Sequence, residues 1–193
     1  MMRRGRKRYS EKGVTLIELV VVMAIIAIMA VFMIPSIGEW AQNYRIKQAA
    51  RNLASDLQSC KMQAVSMGRY CVVAFNANGY VIFPDYDNDM VLDTANIGDI
   101  DSDGVQENET TDIFKTVVFS NAYRTVTFDT ACGDGNDGIS FTNNMVAFDG
   151  RGLPRNNTGG YAGGIVFLIN TANNKARSIA VSNAGAITIT EYQ

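Results

Sequence analysis

The sequence predicts an α+β fold in which a long N-terminal helix, transmembrane and then amphipathic, packs on antiparallel β-sheet. Three observations predict it. Apolar residues recur at alternating spacings of four and three through Ile46, Ala50, Leu53, Leu57, Cys60, Ala64 and Met67, which marks one face of a helix. Beyond Gly68 the chain turns to short β-type runs separated by Gly, Asn and Asp. The helical text comes first and the strand text second, so the two classes are segregated instead of alternating.

The elements follow in chain order. The 193 residues suit one folded domain with an appended segment. Residues 1–13 carry Arg3, Arg4, Arg6, Lys7, Arg8 and Lys12 against Glu11 alone. Of 17 basic and 19 acidic side chains, this leaves 11 basic and 18 acidic in the remainder, a balance of −7. A positive tip on an acidic body points to targeting.

Residues 14–37 hold one charge, Glu18, and 19–34 are apolar throughout. As a helix, the stretch reaches about 36 Å, against about 30 Å for a hydrocarbon core. The flanking Arg/Lys cluster keeps residues 1–13 cytoplasmic and sends the remainder out. No A-x-A cleavage site follows the apolar run, as a secretory signal would require; Gly13 precedes it instead. A lone carboxylate in a membrane helix needs a partner, and an amine made by cutting at Gly13, on this or a neighbouring chain, would serve Glu18. Pro35 removes the hydrogen bond to the Val31 carbonyl, so a kink or loosening is expected there.

Residues 38–68 form the amphipathic part, with Arg45, Lys47, Arg51, Asp56 and Lys61 mostly off the apolar stripe and Gly68 as its stop. The stripe could be a coiled-coil seam, but its short length and its Ala and Cys positions favour packing on a sheet. Residues 69–193 form a β-rich head with strands expected at 70–75, 80–83, 116–119, 126–128, 139–141, 145–148, 165–169, 178–181 and 186–190. Asn76-Ala77-Asn78-Gly79 and Asn183-Ala184-Gly185 read as hairpin connections.

Lys12-Gly13-Val14-Thr15-Leu16-Ile17-Glu18-Leu19 resembles the class III signal of type IV pilins and type II secretion pseudopilins. The resemblance implies that prepilin peptidase cuts after Gly13 and that Val14, where phenylalanine or methionine is usual, becomes an N-methylated terminus. It further implies that Glu18 aligns an incoming subunit by pairing with a neighbour's amine and that Pro35 is the family's helix-kinking proline. The implied partners are other pilin or pseudopilin subunits, an inner-membrane assembly platform, and membrane lipid before assembly. The implied location is the bacterial inner membrane, single-pass with the N-terminus cytoplasmic and the head periplasmic, then a filament in the periplasm or on the cell surface.

The second half resembles H-type pseudopilins and FimT-type minor pilins, through Ala147-Phe148-Asp149-Gly150-Arg151-Gly152-Leu153-Pro154, Gly164-Ile165-Val166-Phe167-Leu168 and the stretch 176–185, although Ala186 stands where that family often has a basic residue. These resemblances imply a structural subunit, a minor pilin or pseudopilin. The alternative is a minor pilin acting mainly as a DNA-binding or adhesion module, for which Arg151, Arg155, Lys175 and Arg177 are the basic candidates.

No histidine is present, which removes His-dependent triads, His-metal sites and imidazole acid–base chemistry. Nothing suggests an enzyme. Cys60, Cys71 and Cys132 lack C-x-x-C spacing; three thiols permit one bridge and one free cysteine, with the connectivity open. Ten carboxylates crowd residues 85–112, with no Lys or Arg between Arg69 and Lys115. A structural calcium ion would relieve their repulsion, and the other reading is a solvated acidic loop. The candidate ligands are Asp85, Asp87, Asp89 and Asp93, or Asp99, Asp101 and Asp103, which open an EF-hand-like spacing that Thr110 at position twelve breaks.

Overall fold

The computed structural model describes residues 13–93, 108–110 and 112–192, and within 31–37 the backbone alone. The chain divides into two compact units, one ending at Trp40 and one beginning at Ala41. Helix α1 (Leu16–Met67) starts in the first and finishes in the second, and its helical assignment continues past Pro35. Gly68 stops it with a left-handed φ of 67°, a conformation that only glycine adopts without strain.

In the first unit the described side chains of α1 are exposed and apolar, from Leu16 at 82% through Ile28 at 64%. Among the described residues no helix is long and apolar enough to cross a membrane. Side chains of the apolar run are described only from 19 to 30, fewer than the roughly 20 residues a span needs.

In the second unit the expected stripe is the buried one. Ile46, Ala50, Leu53, Leu57, Cys60 and Ala64 are each at most 1% exposed, and Ala49 joins them. They share one core with two antiparallel sheets. The first sheet has the order β3-β2-β1-β5-β6, built from β1 (Tyr70–Asn76), β2 (Gly79–Asp85), β3 (Lys115–Val118), β5 (Met145–Phe148) and β6 (Pro154–Arg155). The second has the order β4-β7-β8-β9, built from β4 (Val126–Phe128), β7 (Gly164–Asn170), β8 (Lys175–Val181) and β9 (Ile187–Tyr192).

Period-two alternation makes β1 two-faced. Cys71, Val73 and Phe75 enter the core with α1, whereas Val72 packs on the other face with Phe83, Met90 and Ala147. The register Asn76↔Gly79 leaves Ala77-Asn78 as a two-residue turn, as the sequence suggested. Gly79 is required there, because a Cβ would fall 1.9 Å from the Val117 carbonyl oxygen of β3.

Two links fix α1 to the first sheet. Cys60 and Cys71 form a disulfide, with Cα atoms 5.6 Å apart, which resolves the open connectivity and leaves Cys132 as the free thiol. The buried Tyr80 hydroxyl donates to Asp56 Oδ2 at 2.6 Å, and Lys115 Nζ pairs with Asp56 Oδ1 at 2.8 Å. Burial first, then the Asp56 carboxylate, pushes the Tyr80 phenol above its ordinary range, so it remains a donor.

Two expectations needed correction, and one strand was unforeseen. Residues 139–141 form no strand: Ile139 makes a single bridge to Val166, and Thr142–Asn144 then turn as a short 3-10 helix. The Asp134 N–H bonds back to the Ile139 carbonyl at 3.1 Å, which draws that carbonyl into a glycine-rich turn. Phe119 leaves β3 to open α2 (Phe119–Tyr123), because its ring packs edge-on against Phe128 at 4.9 Å. Strand β6 was not anticipated; at two residues beginning with Pro154, it has no alternation to read and lies on a sheet edge, where proline is tolerated.

Candidate functional site

Three loci carry the residues singled out from sequence. At the first, Gly13 and Val14 are exposed and precede α1, with nothing within 4 Å of a Cβ built on Gly13. Thr15 Oγ1 accepts the Glu18 N–H at 3.3 Å, and Glu18 is the acidic residue of the helix's first turn. Thr15-Leu16-Ile17-Glu18 thus has the T-x-x-E form of an N-terminal cap, a signal readable in the sequence and overlooked there. The helix dipole favours a carboxylate at this end. The arrangement presents a non-helical peptide bond, then one carboxylate, then an apolar surface. The Pro35 side chain lies outside the described residues.

The second locus is the acidic segment. Asp85, Asp87 and Asp89 bring one carboxylate oxygen each to within 4.8 Å of one another. Asp93 takes a different position: its N–H donates to Glu109 Oε2 at 2.9 Å. Asp99, Asp101 and Asp103 lie outside the described residues. Asp85 is fully buried and organises the loop, accepting N–H bonds from Asn88 and Asp89 on Oδ1 at 2.7 and 3.2 Å and from Met90 on Oδ2 at 2.9 Å. These bonds hold Asn88 and Met90 at φ 64° and 62°, left-handed values that cost a non-glycine residue.

Glu109, also fully buried, accepts the Tyr86 and Asp93 N–H groups, both at 2.9 Å. Burial, then the Glu109 charge, pushes the Asp85 carboxyl up to about 7 against its N–H bonds. Burial, then Asp87 and Asp93, raises Glu109 likewise. Sequence reasoning counted Glu109 among the ten carboxylates without seeing it as the buried partner of Asp85, a role that only tertiary folding creates.

At the third locus the structure splits the basic set. Asp149 Oδ2 accepts the Arg155 guanidinium at 3.0 and 3.1 Å and that of Arg151 at 3.4 Å, while Asp149 Oδ1 accepts the Arg151 and Leu153 N–H groups at 2.9 and 3.0 Å. Burial alone would raise Asp149, but those N–H bonds and Arg155 hold it below the usual carboxylate range. Arg155 also lies over the Tyr161 ring, 3.8 Å from its centroid. These two arginines are therefore occupied in closing the 149–161 turns. Lys175 and Arg177 sit on the other sheet, where two adjoining depressions share Lys47 and Arg177. Arg51 and Ile189 complete one of them, and Asn43, Ile46, Lys175 and Glu191 the other. Lys47 and Arg51 were read from sequence only as lying off the apolar stripe.

Comparison with known proteins gives two family matches. The family described as a prokaryotic N-terminal methylation motif matches residues 8–34. The family described as type II transport protein GspH matches residues 49–185. Among solved structures, the crystal structure of the type IV minor pilin FimU of Pseudomonas aeruginosa strain PAO1 is similar at 17% identity, covering 80% of this chain and 97% of that one with a TM-score of 0.45. No curated protein sequence matches the chain.

Proposed function

The chain belongs to the type II transport protein GspH family, and from that premise we propose how this prepilin-like structural subunit is processed and assembled. Prepilin peptidase cuts the Gly13–Val14 bond, and the freed Val14 amine is methylated. The apolar helix holds the subunit in the inner membrane, with its head in the periplasm, until the assembly platform adds it to a type II secretion pseudopilus or type IV pilus. Its action is assembly, without catalysis. One observation carries the reading: the Gly13–Val14 bond is exposed outside the helix, immediately before a first turn that presents Glu18 from an otherwise apolar, exposed surface.

Within a filament core such a surface is covered by neighbouring helices, and the low dielectric there makes an unpaired carboxylate costly. A neighbour's N-terminal amine satisfies Glu18. Replacing Glu18 by Ala is expected to leave cleavage intact and to cut filament incorporation by about a hundredfold to a few thousandfold, since an orphaned partner of a buried charge pair costs about 3–5 kcal/mol. Sheared-filament immunoblots check it, and normal incorporation contradicts the mechanism.

A structural calcium ion is the second element of the proposal, supported by the converging Asp85, Asp87 and Asp89 carboxylates. Three carboxylates fall short of the six to eight oxygens that calcium takes, so carbonyls or water must complete the shell. Calcium against EGTA should raise the melting temperature at pH 8, because a ligand of the folded state stabilises it. No shift at millimolar calcium removes the ion from the proposal.

The DNA-binding alternative loses Arg155 to Asp149, keeps Arg151 with its side chain 68% exposed, and is not favoured by the family matches.

A further inference from the structure

The groove at the third locus gathers positive charge near the start of the second unit. Between Ile37 and Asp56 the chain holds Arg45, Lys47 and Arg51 against Glu39 alone. Lys47 and Arg51, four apart, share one face of α1, and Lys175 and Arg177, two apart, share one face of β8. Arg177 is paired with Glu191 at 2.8 Å, whereas Lys47, Arg51 and Lys175 take part in no ion pair among the described residues. The widest part of the groove has a volume of about 340 Å³, with Ile189, 39% exposed, as an apolar edge.

Chain length limits how far this charge lies from the apolar run. The β7–β8 turn is tied to α1 at the beginning of the second unit: Asn170 Nδ2 donates to the Gln42 carbonyl at 2.8 Å, and Asn173 Nδ2 to Asn43 Oδ1 at 2.9 Å. Lys175, the first residue of β8, lines its depression together with Asn43. Asn43 follows Ile37 by six residues, about 9 Å of helix and at most about 22 Å of any chain. Lys47 follows Ile37 by ten, about 15 Å of helix, and the Cα–Cβ bonds of a helix tilt back toward its N-terminus. The first aromatic residues after Ile37 are Trp40 and Tyr44, 67% and 53% exposed, of the two types enriched where a bilayer meets water. The acid-rich segment is held at the other end of α1, since Asp85 pairs with Tyr70, three residues past Met67.

We propose that the groove lined by Lys47, Arg51, Lys175 and Arg177 docks the phosphates of anionic phospholipid headgroups in the membrane that holds the apolar helix. The proposal rests on the membrane reading above and adds a second, electrostatic contact made by the head itself. A base within about a Debye length, roughly 10 Å, of a charged membrane surface is attracted to it, and several act together. Zwitterionic headgroups carry no net charge, so the contact selects anionic lipid and weakens with salt. It turns the basic end of the head toward the bilayer before a filament takes the subunit up.

The test reconstitutes the full-length protein from mild detergent into vesicles of phosphatidylcholine, alone or with about one third phosphatidylglycerol. A membrane-impermeant amine-acylating reagent and mass spectrometry read each lysine, with Lys115, bonded to Asp56, as the internal reference. In low salt, acylation of Lys47 and Lys175 relative to Lys115 should fall about fivefold in the anionic vesicles, and high salt should abolish the difference. The variant R51Q/R177Q keeps both reporter lysines and should shrink that fall to about twofold. Alkylation showing the Cys60–Cys71 bridge intact verifies folding, and R51Q alone replaces a double variant that fails.

Equal acylation in the two vesicles, with the chain floating with both, overturns the proposal and leaves the membrane reading standing. A fall that high salt does not reverse, or that R51Q/R177Q leaves unchanged, overturns it as well. Protection in neutral vesicles that appears only when an acidic partner subunit is added assigns the groove to protein and has the same force. A chain that floats with neither vesicle overturns the membrane reading and the proposal together.

Discussion

Asp85 and Glu109 are the residues on which pH acts most directly. Both are held above the usual carboxylate range, Asp85 at about 7, by burial and by neighbouring negative charge. An unfolded aspartate titrates near 3.9, so the folded state binds these protons more tightly. The contribution of Asp85 to stability is fully present below about pH 4 and is lost as pH rises through about 7, and that of Glu109 is lost in the same direction. Asp149 behaves in the opposite sense: its lowered value stabilises above the unfolded range, and that contribution disappears in acid. In calcium-free buffer the melting temperature of the full chain in detergent should therefore fall from pH 5 to pH 8. Glu109→Gln should flatten that slope while lowering the melting temperature at pH 5, since an amide NH2 must then face the Tyr86 or the Asp93 N–H. A wild-type profile level across this range contradicts the assignment.

At the scale of elements, the joint between α1 and β1 matters most. Cys60 and Cys71 close a short loop across the helix–strand turn, and Asp56 adds a second tie through Tyr80 and Lys115. Replacing both cysteines by alanine should destabilise the head by about 2–4 kcal/mol, measured by urea unfolding with and without the bridge. Periodicity made most of this architecture legible in the sequence. The stripe from Ile46 to Ala64 and strands such as β4 and β5 were readable because a fixed interval of burial leaves its mark on residue types. Where burial depends on aromatic packing from distant segments, as for Phe119 against Phe128, local pattern carried no signal. Pro154–Arg155 was too short to show any period.

Across the whole molecule, charge is segregated twice, along the sequence and again over the surface of the folded head. The first segregation was legible as a basic leader before an acidic body. The second was hidden, because Lys47 and Arg51 precede Lys175 and Arg177 by more than a hundred residues and only the packing of α1 beside β8 and β9 unites them. Likewise Arg155 looked available until Asp149, six residues before it, proved to hold its guanidinium. The Cys60–Cys71 bridge also bears on the timing of maturation. Both thiols lie in the first 71 residues, and Cys132 follows 61 positions later. A head translocated in chain order behind the apolar helix would deliver the correct pair to an oxidant before the competing thiol arrives. Contacts across so short a loop form in about 10–100 ns, far faster than disulfide chemistry, so chain order alone steers oxidation away from the wrong partner.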